Sequence, residues 1–244
     1  SCYPGCVLRI SDRLQNLSYL FDIMLPLFMT MYQKYNSLRN REGIAMHFRL
    51  ISLMILALLT GCAANPMALS GQQTIQPPAQ EEAQVVFMRS SFVGSAIAAS
   101  LYEVTDDKIT FIGIIKNGTQ VSYTTSPGHH VFMVVSEAAD FMEADLSAGK
   151  NYYSITTPRM GAWKARFSLW PIKNDPDTKF SLQKSSFEGW VADTKRVENS
   201  EKSISWYQKN KDSVQKKYEK YWPVWQEKSE ADLAKRTLSP EDGL

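Results

Sequence analysis

From Gln84 to Pro171 short apolar runs are cut by turn residues every eight to twelve positions or so, a cadence that leaves no room for helices and calls for strands. The runs are Val85–Met88, Ala96–Val104, Ile109–Ile115, Thr119–Thr125, His129–Val135, Phe141–Leu146, Asn151–Thr156 and Trp163–Trp170. Asp106-Asp107, Asn117-Gly118, Pro127-Gly128 and Ser147-Ala148-Gly149-Lys150 punctuate them, and Pro171 is expected to stop the last. Asn-Gly suits the positive φ angles of a two-residue type I′ turn, so Ile109–Ile115 is expected to pair antiparallel with Thr119–Thr125. Pro-Gly fits the centre of a type II turn. About eight strands so closely spaced imply a mainly β fold, an antiparallel β-sandwich or barrel, over residues 84–172. Val131, Met133, Val135, Ile112, Ile114 and Phe167 are its expected core.

Upstream lies a stretch of another kind. Met46–Cys62 opens with a short basic segment carrying Arg49, runs through apolar residues from Leu50 to Leu59, and closes on Leu59-Thr60-Gly61-Cys62. This is the layout of a secretory signal peptide over residues 46–61. A spanning helix needs ~20 apolar residues, more than Arg49 and Gly61 leave between them. The closing four residues resemble the lipobox of bacterial lipoproteins, which implies that the Cys62 thiol receives a diacylglycerol before cleavage makes it the new N-terminus. Lipid attachment at Cys62, with Leu59, Thr60 and Gly61 as the rest of the lipobox, implies a membrane held through acyl chains as partner. Ala63, where an Asp would direct retention at an inner membrane, favours the periplasmic face of an outer membrane. Residues 1–45 fit none of this and read as an over-extended gene model, with an N-terminal membrane segment around Leu17–Tyr32 as the alternative.

The cysteines are Cys2, Cys6 and Cys62, so cleavage leaves a single, acylated one and no pair for a disulfide. The formal net charge of +2 gives no electrostatic case for nucleic acid. Residues 62–83, rich in Pro, Gly and Gln with hardly any periodic apolar residues, read as a flexible tether. Residues 173–244 read as a helical C-terminal extension. A turn at Asn174-Asp175-Pro176-Asp177 precedes Phe180, Phe187 and Trp190, which are placed to dock on the sandwich. A helix capped by Asn199 or Ser200 carries Ile204, Tyr207, Val214, Tyr218, Tyr221 and Trp225 on one side and lysines on the other. Pro223 is expected to kink or end it near Tyr221, and Ser229 to cap a further turn. The aromatic side is expected to pack on the chain's own β-domain, with a partner groove or a membrane surface as alternatives.

Ser91-Phe92-Val93-Gly94-Ser95-Ala96, Ile115-Lys116-Asn117-Gly118, Pro127-Gly128-His129-His130 and Leu146-Ser147-Ala148-Gly149-Lys150-Asn151-Tyr152-Tyr153 resemble, in order and spacing, the domain-of-unknown-function 2846 family. The likeness covers roughly Ala83–Ile172. It implies a small β-sandwich of the kind found in bacterial lipoproteins, and no catalytic residues.

Chemistry-bearing constellations are few. Neighbours on a strand point to opposite faces, so His129 and His130 cannot readily close on one metal ion. A Ser126, His129, Asp140 triad lacks a nucleophile elbow. Asp106, Asp107, Glu137, Asp140, Glu143 and Asp145 could supply paired carboxylates for a glycosidase, but acidic residues more often decorate turns. Tyr152, Tyr153, Trp163 and Trp170 could stack on sugars, yet core filling is their expected use. The reading is a lipid-anchored envelope protein acting as a non-enzymatic binding or structural module, without cofactor, metal or catalytic residues, whose partner is an envelope protein or glycan. Its alternatives are an envelope glycan hydrolase using loop carboxylates and a subunit of an envelope assembly.

Overall fold

The computed structural model describes residues 26–27, 29–34, 65–159 and 166–244. Residues 26–27 and 29–34 are helical and belong to a unit of their own, Ser1–Ala63. Leu59, Thr60, Gly61, Cys62 and Trp163 lie outside the described residues. Among the described residues no helix is long and apolar enough to cross a membrane.

The second unit, Ala64–Leu244, is mainly β. All eight runs expected from the sequence are strands: β2 (Ala83–Arg89), β3 (Ala99–Thr105), β4 (Lys108–Ile115), β5 (Thr119–Thr125), β6 (Gly128–Val135), β7 (Ala139–Leu146), β8 (Asn151–Arg159) and β9 (Arg166–Ile172). Three short strands join them: β1 (Ala68–Leu69), β10 (Lys195–Glu198) and β11 (Thr237–Leu238). One sheet has the order β1-β10-β5-β2-β8-β9, the other β11-β7-β6-β3-β4. Both are mixed rather than antiparallel, because β10–β5, β2–β8 and β11–β7 pair in parallel. β9 also runs through Pro171 to Ile172; as an edge strand it tolerates the missing N–H.

The expected hairpin at Asn117-Gly118 does not form. β4 pairs with β3, whereas β5 lies in the other sheet beside β2. Gly118 takes φ +73°, but Asn117 stays out of the left-handed region that a type I′ turn requires of both central residues. The Asn117 side chain instead accepts the Ser91 N–H at 2.7 Å, and the Gly118 N–H donates to Arg89 O at 2.8 Å. Those two bonds tie the turn to the end of β2 and pass the chain across to the first sheet. The turn with both residues at positive φ is Asp106-Asp107, at 47° and 62°, and it joins the paired strands β3 and β4.

Residues 65–83 are not the free tether their composition suggests. β1 pairs with β10, and Gln73 donates to the carbonyls of Ser70 and Arg196. Met67 is buried between the sheets, where its sulfur accepts the Ile114 N–H at 3.3 Å; Ile75 packs on the outer face of the first sheet. Two isolated apolar residues thus anchor a segment without periodicity.

The chain beyond β9 covers both outer faces of the sandwich. Helix α1 (Ser185–Asp193) places Phe187 and Trp190, with Phe180, over Val86, Met88, Tyr153 and Ile155 of the first sheet. Helix α2 (Glu201–Gln226) covers Tyr102, Met133, Val135 and Phe141 of the second. Phe132 and Val134, the alternate residues of β6, face the inter-sheet core. Of the expected core, Met133, Val135, Ile112, Ile114 and Phe167 are buried and Val131 is partly so. Ser200 caps α2, its hydroxyl accepting from the N–H groups of Lys202 and Ser203. Val214, Tyr218 and Trp225 are buried and Ile204 is 43% exposed. Pro223 does not end the helix, which continues to Gln226. Trp222 and Trp225 lie with ring centroids 5.1 and 5.7 Å from Phe141, contacts worth ~0.5–1.5 kcal/mol each beyond area burial, so burial of the last turn offsets the lost N–H bond. Ser229 caps α3 (Glu230–Ala234), and β11 then closes the second sheet. The C-terminal stretch is therefore part of the same fold, with β10 and β11 completing one sheet each.

Met67→Ala should destabilise the full chain by ~2–5 kcal/mol, the cost of emptying a core position. Urea unfolding followed by tryptophan fluorescence measures it, and a change within experimental error would mean that residues 65–83 contribute nothing to the fold.

Candidate functional site

A cleft of about 390 Å³ lies beside the edge strand β9, between the loop after it and α3. Trp170, Pro171 and Phe180 form its apolar wall, and Lys173, Lys179 and Lys235 its basic rim, with Asp175 and Thr178 alongside. Trp170 is held in place from behind: the Arg236 guanidinium lies 4.3 Å from its ring centroid and Phe180 lies 5.7 Å away. Arg236 is itself fixed by an ion pair with buried Asp140 and by the Phe141 carbonyl at 2.8 Å. The wall is therefore rigid.

The rim cations differ in their engagements. Lys235 pairs with Asp232 at 3.0 Å. Lys173 donates to the Ala234 carbonyl at 2.9 Å, and Lys179 lies 5.1 Å from the Phe180 ring centroid. Among the described residues neither Lys173 nor Lys179 has a carboxylate partner within ion-pair distance, and Asp175 accepts the Asp177 N–H instead. A rigid aromatic wall beneath cations without counter-charges can hold an anionic group attached to a ring or other apolar body. Sequence reasoning missed these lysines because no local motif joins Lys173 and Lys179 to Lys235; β9, its loop and α3 meet only in the fold.

The histidines serve two separate places. His129 is exposed and paired through Nδ1 with Asp145 at 2.8 Å. His130 is buried, its Nδ1–H donating to Glu103 Oε1 at 2.5 Å and its Nε2–H to the Ser126 carbonyl at 2.8 Å. Both nitrogens face acceptors, so the ring fits as imidazolium. Tyr123 donates to the other Glu103 oxygen at 2.6 Å, linking β5 of one sheet to β3 and β6 of the other. Hydrogen bonding to Glu103 raises the His130 pKa against the effect of burial. Burial tends to raise the Glu103 carboxyl, but the bonds from His130 and Tyr123 outweigh it and hold the carboxyl below its usual range. The lone Glu103 in the apolar run Ala99–Thr105 was the sequence signal for this clasp.

The paper triad does not assemble. Ser126 offers its carbonyl to His130, His129 faces Asp145, and Asp140 faces Arg236. The candidate glycosidase carboxylates are likewise spread over separate contacts. Asp107 accepts from the Tyr218 hydroxyl, whose pKa is pushed up to about 12 by burial and that bond, and Glu143 accepts from Trp225 Nε1 at 3.0 Å. Tyr152 is fully buried, Tyr153 nearly so, and Trp170 half-buried. No group of three or more metal-ligating side chains stands together among the described residues. Compared with known proteins, the chain matches no family model and no curated protein.

The clasp makes stability depend on pH with a definite sign. The depressed Glu103 pKa contributes stability above the unfolded carboxyl value of about 4.3, lost as pH falls through the folded value. The raised His130 pKa contributes stability present in full below about 6.5, lost as pH rises through the folded value. Urea midpoints should therefore fall as pH climbs past about 6.5, and His130→Gln should remove that alkaline decline. Parallel profiles for both proteins would show the clasp to be energetically silent.

Proposed function

We propose that this chain is a lipid-anchored, non-enzymatic module of the bacterial cell envelope that binds an acidic saccharide in the cleft beside β9. The carrying observation is the pairing of a rigid Trp170 wall with the ammonium groups of Lys173 and Lys179, which have no carboxylate partner among the described residues. Sugar rings stack on aromatic faces, and carboxylate or phosphate substituents meet ammonium donors through charge-assisted hydrogen bonds. The lipobox resemblance at Leu59–Cys62 supports the anchor and the Ala63 position the outer membrane. The order and spacing of the turn motifs carry the resemblance to the 2846 family. Hydrolysis by loop carboxylates is the poorer reading, since Asp107, Asp140, Glu143 and Asp145 each hold a different structural partner.

Calorimetric titration of the full chain with an oligogalacturonide, a sugar phosphate and a neutral oligosaccharide tests the cleft. At least one anionic probe should bind, more weakly as salt rises. Lys173→Met with Lys179→Met should weaken it by about tenfold or more, ~1.4 kcal/mol, while leaving the stem contacts. Equal affinity for the neutral sugar, an unaffected double variant, or no heat with either anion would refute the site. Cleavage of the probe would refute the non-enzymatic assignment.

A further inference from the structure

We infer that the β1 edge of the first sheet lies against the bilayer surface and that the cleft beside β9 faces away from it. The inference rests on the lipid-anchor reading of Cys62 and goes beyond it, because an anchor alone sets no orientation.

A long free tether would let the fold tumble above the membrane. Here there is none. Four residues along the chain from Cys62, the Pro66 carbonyl accepts from the Ser200 hydroxyl at the cap of α2. One residue further, Met67 is buried between the sheets, and Asn65 Oδ1 accepts its N–H. An extended chain covers at most ~3.3–3.6 Å per residue, so an acylated Cys62 can stand no more than about 18 Å from Met67. Acyl chains buried in the hydrocarbon would hold that cysteine at the polar boundary, leaving the body of the domain almost no slack.

The strand order turns this short leash into an orientation. β1 is one edge of the first sheet and β9 the other, five strand spacings away. At ~4.8 Å per spacing the two edges are about 24 Å apart, so tethering at β1 holds the β9 edge away from the lipid. The near side also carries apolar surface fit for an interface: Leu69 on β1 is 62% exposed, and Ile204 in the first turn of α2 is 43% exposed. Lys195 and Lys202 are exposed on the neighbouring β10 and α2, where ammonium groups can reach phosphates of headgroups. The arrangement presents the lysine-rimmed cleft to soluble or wall-bound ligands.

The test uses the acylated protein in phospholipid vesicles, from which cleavage before Cys62 has removed Cys2 and Cys6 and in which acylation blocks the remaining thiol. A fluorophore is placed at Leu69→Cys or at Lys179→Cys, and quenching by headgroup-labelled lipid is compared. Quenching at position 69 should exceed that at position 179 by several-fold. Inserting about ten Gly/Ser residues between Ala64 and Asn65, an added reach of roughly 17 Å, should erase most of the difference. In material whose intact mass shows the acyl groups, equal quenching at the two positions, or a difference that survives the insertion, overturns the orientation alone. Material without acyl groups overturns the anchor and the orientation together.

Discussion

Burial of both faces of both sheets is the constraint on which the rest of this structure depends. Along β6, Phe132 and Val134 point into the space between the sheets, while Met133 and Val135 point out under α2. Along β2, Val85 and Phe87 point in, while Val86 and Met88 point out toward α1. A two-sheet sandwich without those helices would expose a continuous apolar face on each side, far more than soluble surfaces normally tolerate. The helices are therefore required by the strand sequences. Their order along the chain, after β9, explains why the segment beyond Pro171 cannot be a detachable appendage.

The existence of each long strand was legible because alternation and turn residues are local signals, and so was the capping of α2 by Ser200. Pairing was not legible. Asn117-Gly118 has the composition of a hairpin turn, but the Ser91 N–H captures the asparagine side chain, a contact across 26 residues that no local pattern announces. Conversely Asp106-Asp107, read only as a turn, adopts the two positive φ values of the hairpin. The same limit applies to residues 65–83: Met67 and Ile75 are too few to form a period, yet each fills a prepared site. Low periodicity indicates absence of regular structure, not absence of packing. For the cleft, the sequence indicated that Trp170 sits near a strand end, but its cationic neighbours come from a loop and from a helix more than fifty residues later.

Buried charge is handled in two ways within this fold. Glu103 and His130 are paired, and every polar atom they present meets a partner on an adjoining strand or turn. Arg89 is fully buried with carbonyls instead of a carboxylate: Nη1 donates to Ile97 O and Nη2 to Gly94 O, each at 2.6 Å, and the guanidinium lies 4.0 Å from the Phe167 ring centroid. Burial lowers its pKa to about 10, which still leaves it charged at neutral pH. Desolvating a cation is expensive, so its retention must be weighed against what those carbonyls would otherwise lack. They belong to the irregular segment between β2 and β3, which carries Phe92 at 91% exposure and has few apolar contacts of its own. Arg89 replaces water as the donor to that segment and fixes its path.

The strand order of the first sheet separates two tasks that a small fold must otherwise crowd together. β5, β2 and β8 form the interior of the sheet, which leaves the flanks to the others: β10 and β1 on one side, β9 with its loop on the other. On the β1 side the incoming chain is seated through Met67 and the cap of α2. On the β9 side the chain leaves the sheet early, and Arg236 returns from beyond α3 to brace Trp170 against Asp140. The brace lets an aromatic ring at an exposed edge stay fixed without being buried. Such an edge would otherwise invite pairing with another strand, a hazard that the Pro171 imide and the adjacent loop suppress. Edge protection and a rigid cleft wall thus follow from the same placement of β9, and neither disturbs the flank through which the chain enters.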